Sequence, residues 1–529
     1  MLIDGARAPS GCPQVRRLRY RRHHARLRRL CRRGAASADS TDPERPVTLR
    51  FEFLDCVLVD RIVDEAMMVL ERTGVLVEHD ASRARLEEAG CPVDAQTGRT
   101  TVPRDAVDRA LASAPDSFLL YGRDGTPRVR IGGQETHFAP GSAALRILDR
   151  RTGAVREPDT ADFIEYVKVG HGLSNLSYLS TAFAPQDVPQ EIADAWRLYL
   201  ALAHSDRPLV SGAYTAHGVD LMGRIMEVFR HDRNDLVKRP LSIFTCCPNT
   251  PLRWGEDSIR NLVDCAEWGI PVEVVPVVII GATAPTTPVG ALVLHVAEVL
   301  SGIVFVQAIR PGNPVLFGAA PATFHMQEMT SSMAAVEALR LCAGSTQIAR
   351  TLGVPSQAYM ALSDARFNDP QAGSETGMSA ILAAMAGVHS VSGPGMLDYV
   401  NCFSLEKLVF DDEIVAQVRH FMRPPEVLDD LPMGELIQQL LGEGHLLTSD
   451  HTLRHWETAL YMPGPIVDRM GREQWEAAGA RPHREAAAQS IDDALARYQE
   501  DAVEASVHEE IRRLLSSSCQ GDAAPLPPS

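Results

Sequence analysis

The chain has 529 residues, 45% of them hydrophobic and 23% charged, a composition that excludes a wholly disordered or fibrous protein. Its formal charge of −16 speaks against a protein built around nucleic acid, and it has no uninterrupted apolar run of the roughly 18 residues that a membrane span needs. Its ten cysteines include no C-x-x-C pair, and a chain this long builds a core without staples, so a cytoplasmic, reducing location is expected.

The N-terminus stands apart. Arg16–Arg33 holds ten arginines, His23, His24 and no acid, whereas residues 34–529 carry 41 basic and 67 acidic residues. Residues 1–45 are expected to be a disordered, solvated arm; a tether to nucleic acid or an anionic surface, or an Arg-rich transit segment, are the alternatives. Residues 46–142 read as a compact α+β region. Apolar residues recur at helical spacing from Val59 to Leu70 and stop at Gly74, shorter helices follow at Ser82–Ala89 and Arg104–Ala114, and Ser117–Tyr121 with Arg128–Ile131 form a hairpin.

From about residue 143 to 425 short β-branched runs alternate with helices. The strands are Leu145–Leu148, Tyr178–Phe183, Leu209–Tyr214, Leu241–Thr245, Val272–Ile280, Val315–Gly318, Ser356–Ala361 and Ser390–Ser392; the helices start near Thr160, Gln190, Val219, Glu256, Val289, Ser331, Ser374 and Ser404. Strict alternation demands parallel strands with crossover helices, and eight such units favour a closed (β/α)8 TIM barrel over the runner-up, an open doubly wound sheet. The absence of G-x-G-x-x-G after the first strand weakens that runner-up. Residues 426–515 read as helical, with Ser449 or Asp450 capping a helix, and residues 516–529 as a tail.

In such a barrel the active site lies at the C-terminal strand ends. Those ends are rich in small residues and lack a nucleophile–base pair. The chain has no P-loop, no G-x-S-x-G elbow, no H-E-x-x-H and no Asp-x-His-x-x-Gly loop of the kind that offers a histidine to corrinoid cobalt. No metal site is expected. Cys246 and Cys247 are adjacent and point to opposite faces of a strand. His451 and His455 have the i, i+4 spacing of metal ligands, but no third ligand stands beside them in sequence, which favours a structural role. His295 lies mid-helix and is expected to be packed.

Several segments, in order, resemble the trimethylamine methyltransferase family of corrinoid-dependent enzymes. They are Gly74–His79, Tyr121–Asp124, Gly281–Leu292, Asp369–Gly373, Gly395–Asp398, Ser404–Val409 with Asp412-Glu413, and Gly444–Leu447 with His451–Leu453. The resemblance covers roughly residues 50–495. It implies a barrel enzyme that transfers a methyl group from a methylated amine to Co(I) of a corrinoid (cobalamin) held by a separate protein, with none bound by this chain. Only standard residues occur, so the chain resembles the non-pyrrolysine branch, which acts on quaternary amines such as glycine betaine. The family commonly shows Asp-Ala-Gln-Ala-Gly-Tyr-Glu-Lys; here Ser374 and Thr376 replace the tyrosine and lysine, and His295-Val296 replaces a common pair of amides.

A quaternary ammonium is already activated, because its leaving group is a neutral tertiary amine, so a site without a nucleophile–base pair fits. Such a cation offers no N–H donor, and its recognition falls to aromatic faces and negative charge. Taken by strand end, the expected binding residues are Phe183, Tyr214 and Phe324, with Asp364 and Glu375 for charge. Asn249 and His325 are expected to orient the other end of the substrate. Gly281, Ala282, Ala319, Ala320, Gly393 and Gly395 are expected to keep the mouth clear. No catalytic residue is assigned. The expected partners are a small methylated amine and a cognate corrinoid protein, with no nucleic acid and no membrane; homo-oligomerisation is compatible. The competing reading is a degenerate barrel that binds a small amine without methyl transfer.

Overall fold

A computed structural model describes residues 49–215, 218–499, 503–519 and 528. The arginine-rich arm lies outside the described residues, as does His217. The first described helix, Cys56–Arg72, begins where the Asp55 carboxylate accepts the Leu58 N–H at 2.9 Å. It buries one stripe, Val59, Ile62, Val63, Ala66, Met67 and Leu70, spaced as the sequence demands. The hairpin follows as Phe118–Tyr121 paired antiparallel with Pro127–Ile131.

The α/β class is borne out. Eight parallel strands alternate with eight crossover helices: β1 His137–Ala139, α1 Thr160–Gly172, β2 Leu179–Ser180, α2 Ala193–His204, β3 Leu209–Ser211, α3 Gly218–Val228, β4 Ser242–Cys246, α4 Glu256–Trp268, β5 Val272–Val274, α5 Pro288–Ile309, β6 Val315–Phe317, α6 Val336–Leu352, β7 Gln357–Ala358, α7 Pro370–Ala386, β8 Ser390–Ser392 and α8 Leu405–Phe421. One run of pairing goes β6-β5-β4-β3-β2 and another β7-β8-β1. A Phe317–Ser356 bridge joins β6 to the start of β7, and the Ser177 N–H donates to the Phe138 carbonyl between β1 and β2.

The first strand differs from expectation. The apolar run at 145–148 forms Arg146–Leu148, which pairs with Cys402–Phe403 and Val155–Arg156 in a side sheet. The place beside β8 belongs to His137–Ala139, a short segment whose Phe138 packs among the helices while Ala139 faces the other way.

Alternation along each strand sorts two faces. Leu209, Phe244, Val272, Val274, Val315, Phe317 and Val391 join the large core beneath the helices. Ala139, Tyr178, Val210, Ile243 and Leu316 face away from it and meet Phe118, Leu120, Val129 and Ile131 of the hairpin. Hairpin backbone is tied to the residues that precede strands: the Tyr121 N–H donates to Pro240 O and the Arg123 N–H to Asp206 O. The hairpin therefore plugs the N-terminal end of the strand bundle. α5 is the one described helix long and apolar enough to cross a membrane; most of it is buried between its neighbours in the fold.

Beyond α8 come α9 Gly434–Glu443, α10 Asp450–Ala459, α11 Arg472–Ala477, α12 His483–Arg497 and α13 Ala505–Ser518. Ser449, not Asp450, caps α10 by accepting the Thr452 N–H. α12 returns to pack on α8 and α1, and α13 on α3 and α2, whereas α9, α10 and α11 bury no residue.

The plug is expected to contribute substantially to stability. Leu120→Ala removes a fully buried side chain and should lower unfolding free energy by about 2–4 kcal/mol; denaturant melting would show a shift of under about 0.5 kcal/mol if the hairpin were only laid on the surface.

Candidate active site

The face turned away from the helices becomes polar toward the C-terminal strand ends. Glu273, the middle residue of β5, lies between Val272 and Val274, which point into the core, and stands opposite Thr245 on one side and Leu316 on the other. It is fully buried. Thr245 Oγ1 donates to its Oε1 at 2.6 Å, and its Oε2 has no hydrogen-bond partner among the described residues. Burial raises its pKa to about 7, with the Thr245 hydroxyl pulling the other way. Tyr178, Tyr359 and Cys247 lie near enough to feel the Glu273 charge.

Each neighbour is held by its own bonds. The Tyr178 hydroxyl donates to Ser390 Oγ at 2.5 Å, spanning β2 to β8. The Tyr359 hydroxyl donates to the Ser142 carbonyl at 2.9 Å. Gln357 Nε2 donates to Ser392 Oγ at 3.2 Å. Cys247 is exposed, while Cys246 is buried in the core beside Cys265, as opposite strand faces require. The protein mass around Cys247 pushes its thiol up to about 12, so it stays protonated at neutral pH.

Tyr214 follows β3 with 64% of its surface open, yet surrounding protein raises its phenol pKa. Fully buried Arg197 sets its position. The guanidinium lies 4.9 Å from the Tyr214 ring centroid and donates to Asp194, Thr181 O and Gly212 O. Asp194 in turn accepts the Tyr214 and Thr215 N–H groups at 2.6 and 3.1 Å. One face of the ring therefore already holds a cation.

The other expected site residues are held by their own surroundings. Phe183 is buried in a cluster with Phe163, Tyr166 and Phe403, at centroid distances of 5.3, 5.6 and 5.4 Å. Phe324 and His325 lie on a three-stranded lip, Ile279–Ile280, Ala322–His325 and Thr330–Ser332. The His325 ring nitrogen accepts the Glu328 N–H of its own turn at 3.2 Å. Asn249 likewise serves its own loop, its side-chain oxygen accepting the Gly255 N–H at 3.0 Å. Asp364 and Glu375 do come together: Glu375 Oε2 accepts the Ser363 hydroxyl at 2.6 Å and the Asp364 N–H at 2.9 Å. Asp364 accepts the Ser332 hydroxyl and the Ala334 N–H through one oxygen, while its other oxygen is buried without a partner. Burial raises the Asp364 pKa and the Glu375 charge adds to the rise.

Packing accounts for several of the small residues. A Cβ on Gly393 would sit 1.9 Å from Met360 O, and one on Gly395 2.5 Å from the Phe403 ring. Ala319 and Ala320 are buried. Gly281, whose nearest neighbour would be 3.9 Å away, and exposed Ala282 leave open space at the rim. A separate cleft of about 960 Å³ lies at the N-terminal side, lined by residues that include Arg128, His137, Arg207 and Arg419 and none of the Glu273 cluster. His295 is fully buried against Ser345, its ring nitrogen 2.9 Å from the hydroxyl, and burial lowers its pKa to about 3.

Sequence reading missed Glu273 because it took the run from Val272 to Ile280 as one apolar strand. A lone acid inside a parallel strand was the available signal, since such strands are buried on both faces and unpaired acids are almost never found there.

The family model described as trimethylamine methyltransferase (MTTB) matches residues 21–517. The glycine betaine methyltransferase of Desulfitobacterium hafniense (strain Y51) is 30% identical over 420 residues, 79% of this chain and 87% of that protein. The trimethylamine methyltransferase MttB of Methanosarcina barkeri is 28% identical over 464 residues, 85% of this chain and 92% of that protein. Among solved structures, the monomethylamine methyltransferase MtmB of Methanosarcina barkeri covers 89% of this chain and 96% of its own, at 12% identity and a TM-score of 0.47. The span of the family model and the identity to the glycine betaine methyltransferase show that the chain belongs to the trimethylamine methyltransferase (MTTB) family.

Proposed function

We propose that this protein transfers a methyl group from a quaternary methylated amine of the betaine class to the Co(I) centre of a corrinoid carried by a separate protein, and that its eight parallel strands close into one (β/α)8 barrel around Glu273. The observation that carries the amine half is the Glu273 carboxylate, fully buried, with one oxygen unpartnered, among aromatic hydroxyls and small polar groups. Membership of the family, and a relative named glycine betaine methyltransferase, support the transfer half. The Phe317–Ser356 bridge and the Ser177–Phe138 hydrogen bond, at the two junctions between the paired runs, support closure.

A buried carboxylate and a methylated cation satisfy each other. At 4 Å and an effective dielectric of about 20 their attraction is about 4 kcal/mol, offset by the cost of drying both. The open face of Tyr214 adds a cation–π contact of roughly 0.5–2 kcal/mol. On transfer the C–N bonding pair stays with nitrogen, which departs as a neutral tertiary amine, and the methyl carbon is bonded instead through the electron pair of Co(I). No proton moves, so Glu273 acts through charge and position. Its hold on the ligand disappears with the ligand's charge, which favours release. The chain has no Asp-x-His-x-x-Gly loop, and the corrinoid enters as a cosubstrate. Exposed Met326 and Met329 on the lip and Phe367 after β7 supply an apolar rim for its carrier.

Titration calorimetry with glycine betaine and tetramethylammonium tests the cation site. Glu273→Gln should weaken binding about tenfold or more. Wild-type affinity should rise with pH through about 7, as the carboxylate ionises, and the variant should be flat. Equal affinities and parallel pH profiles would remove Glu273 from the site.

Stability should move in the opposite direction. The folded-state pKa lies above the unfolded value of 4.5, so between these pH values the folded protein holds a proton that the unfolded chain releases. The residue's contribution to stability therefore falls as pH rises from about 4.5 to 7. Glu273→Gln should abolish that decline and melt no lower than wild type at pH 8.

Tyr214→Ala should weaken binding by roughly 2- to 30-fold without loss of folding, its side chain being largely exposed. Incubation with a Co(I) corrinoid protein and a panel of methylated amines then tests transfer, read as amine-dependent loss of Co(I) absorbance. Tight amine binding with no such loss across the panel would favour an amine-binding relative without methyl transfer.

A further inference from the structure

The segment from Pro424 to Leu460 is poorly supplied with packing. α9 and α10 bury no residue, and Leu441, Leu447 and Leu453 are largely exposed. A segment without a core of its own keeps one conformation only if something else ties it down.

One tie is present. His451 and His455 lie one turn apart on the same face of α10. Their rings, 5.1 Å apart between centroids, turn toward Asp429 in the loop before α9. His451 Nδ1 is 2.7 Å and His455 Nε2 2.8 Å from the same carboxylate oxygen, Asp429 Oδ1. These three atoms all lie within 4.8 Å of one another. Arg454 takes the other oxygen, Oδ2, at 2.6 Å. The sequence shows the histidine pair but hides the carboxylate, which sits 22 residues before His451.

We propose that Asp429, His451 and His455 form a binding site for a zinc-type divalent cation, which staples the loop before α9 to α10. Two imidazole nitrogens and one carboxylate oxygen suit a borderline cation of this class, with a solvent water in the fourth position. Ligand atoms around a tetrahedral ion at about 2.0–2.1 Å stand roughly 3.3 Å apart, so the two nitrogen–oxygen distances, 2.7 and 2.8 Å, need to lengthen by about half an ångström, which these partly exposed side chains allow. Arg454, by occupying Oδ2, leaves Oδ1 as a monodentate ligand and fixes the carboxylate's orientation. The site is separate from the Glu273 cluster and does not depend on the function proposed for it.

The test uses the full chain, stripped of metal with a chelator and titrated with Co2+ and then Zn2+. Wild type should bind one equivalent of Co2+ in a visible band of tetrahedral intensity that Zn2+ abolishes. His455→Ala and Asp429→Asn should each lose that band and at least tenfold in affinity, with unchanged far-UV circular dichroism. Zn2+ should slow proteolytic cleavage within 424–460 in wild type and leave both variants unprotected. A wild-type titration indistinguishable from that of His455→Ala, or protection by Zn2+ that persists in the variants, would overturn the proposal and leave a hydrogen-bonded ion-pair cluster only.

Discussion

A carboxylate placed where its charge is costly governs the site. Glu273 occupies a sheet position whose neighbours on the strand are core valines, and Thr245 is its one hydrogen-bond donor. Glu298 on α5 is the instructive contrast. It too is buried and its pKa is also raised to about 7. Its oxygens, however, are both engaged, one by the Leu252 N–H at 2.7 Å and the other by the Thr250 hydroxyl at 2.9 Å. Glu298 thus spends its bonding capacity on a loop. Glu273 keeps one oxygen unspent, and unsatisfied buried polar atoms are rare enough in native folds to require a reason. The difference lies in unfilled hydrogen-bonding capacity, which a perturbed pKa alone does not reveal.

Much of the architecture was legible because a parallel strand buried on both faces writes itself as a β-branched run. Strands β3 to β6, with Val210, Ile243, Val272, Val274 and Val315, follow that rule, while β2, β7 and β8 are short and carry serine, glutamine or alanine. β1 does not follow it either. His137–Ala139 is three residues long with a polar start, while the more apolar Arg146–Leu148 is used in a side sheet. The site was less legible because chain order puts a residue near a strand end without saying which way it points. Asn249 and His325 sit at the expected ends, but their side chains bond to their own loops. Phe183 is turned into a ring cluster under the helices. Tyr214, three residues past β3, is largely exposed, as its loop position suggests, and Asp429 was hidden because its histidine partners lie 22 and 26 residues away in sequence and are close only in space.

Different parts of the molecule are held by different means. Beside the last strand a fully buried Lys407–Asp411 pair, 2.5 Å apart, fixes the turn after β8: Asp411 accepts the Gly395 N–H at 2.7 Å, and Lys407 also donates to Thr376 at 2.8 Å. A buried pair of this kind is costly to break from one side, because the remaining charge is stranded. It serves geometry more than net stability. The segment carrying α9 and α10 has no counterpart to that pair in a dry interior, and its charged cluster stands in water, where ion pairs contribute little.

The hairpin that fills the N-terminal end of the strand bundle carries a consequence for traffic. With Phe118, Leu120, Val129 and Ile131 packed against Tyr178, Val210, Ile243 and Leu316, a barrel closed as proposed would offer small molecules no through-route along the strand axis. On the proposed function, substrate, product and a protein-sized cosubstrate then share a single doorway. A docked carrier covers that doorway, so the amine must enter before docking and the demethylated product must leave after undocking. The turnover scheme would be compulsory-ordered, with high concentrations of carrier slowing the cycle by occupying the empty enzyme.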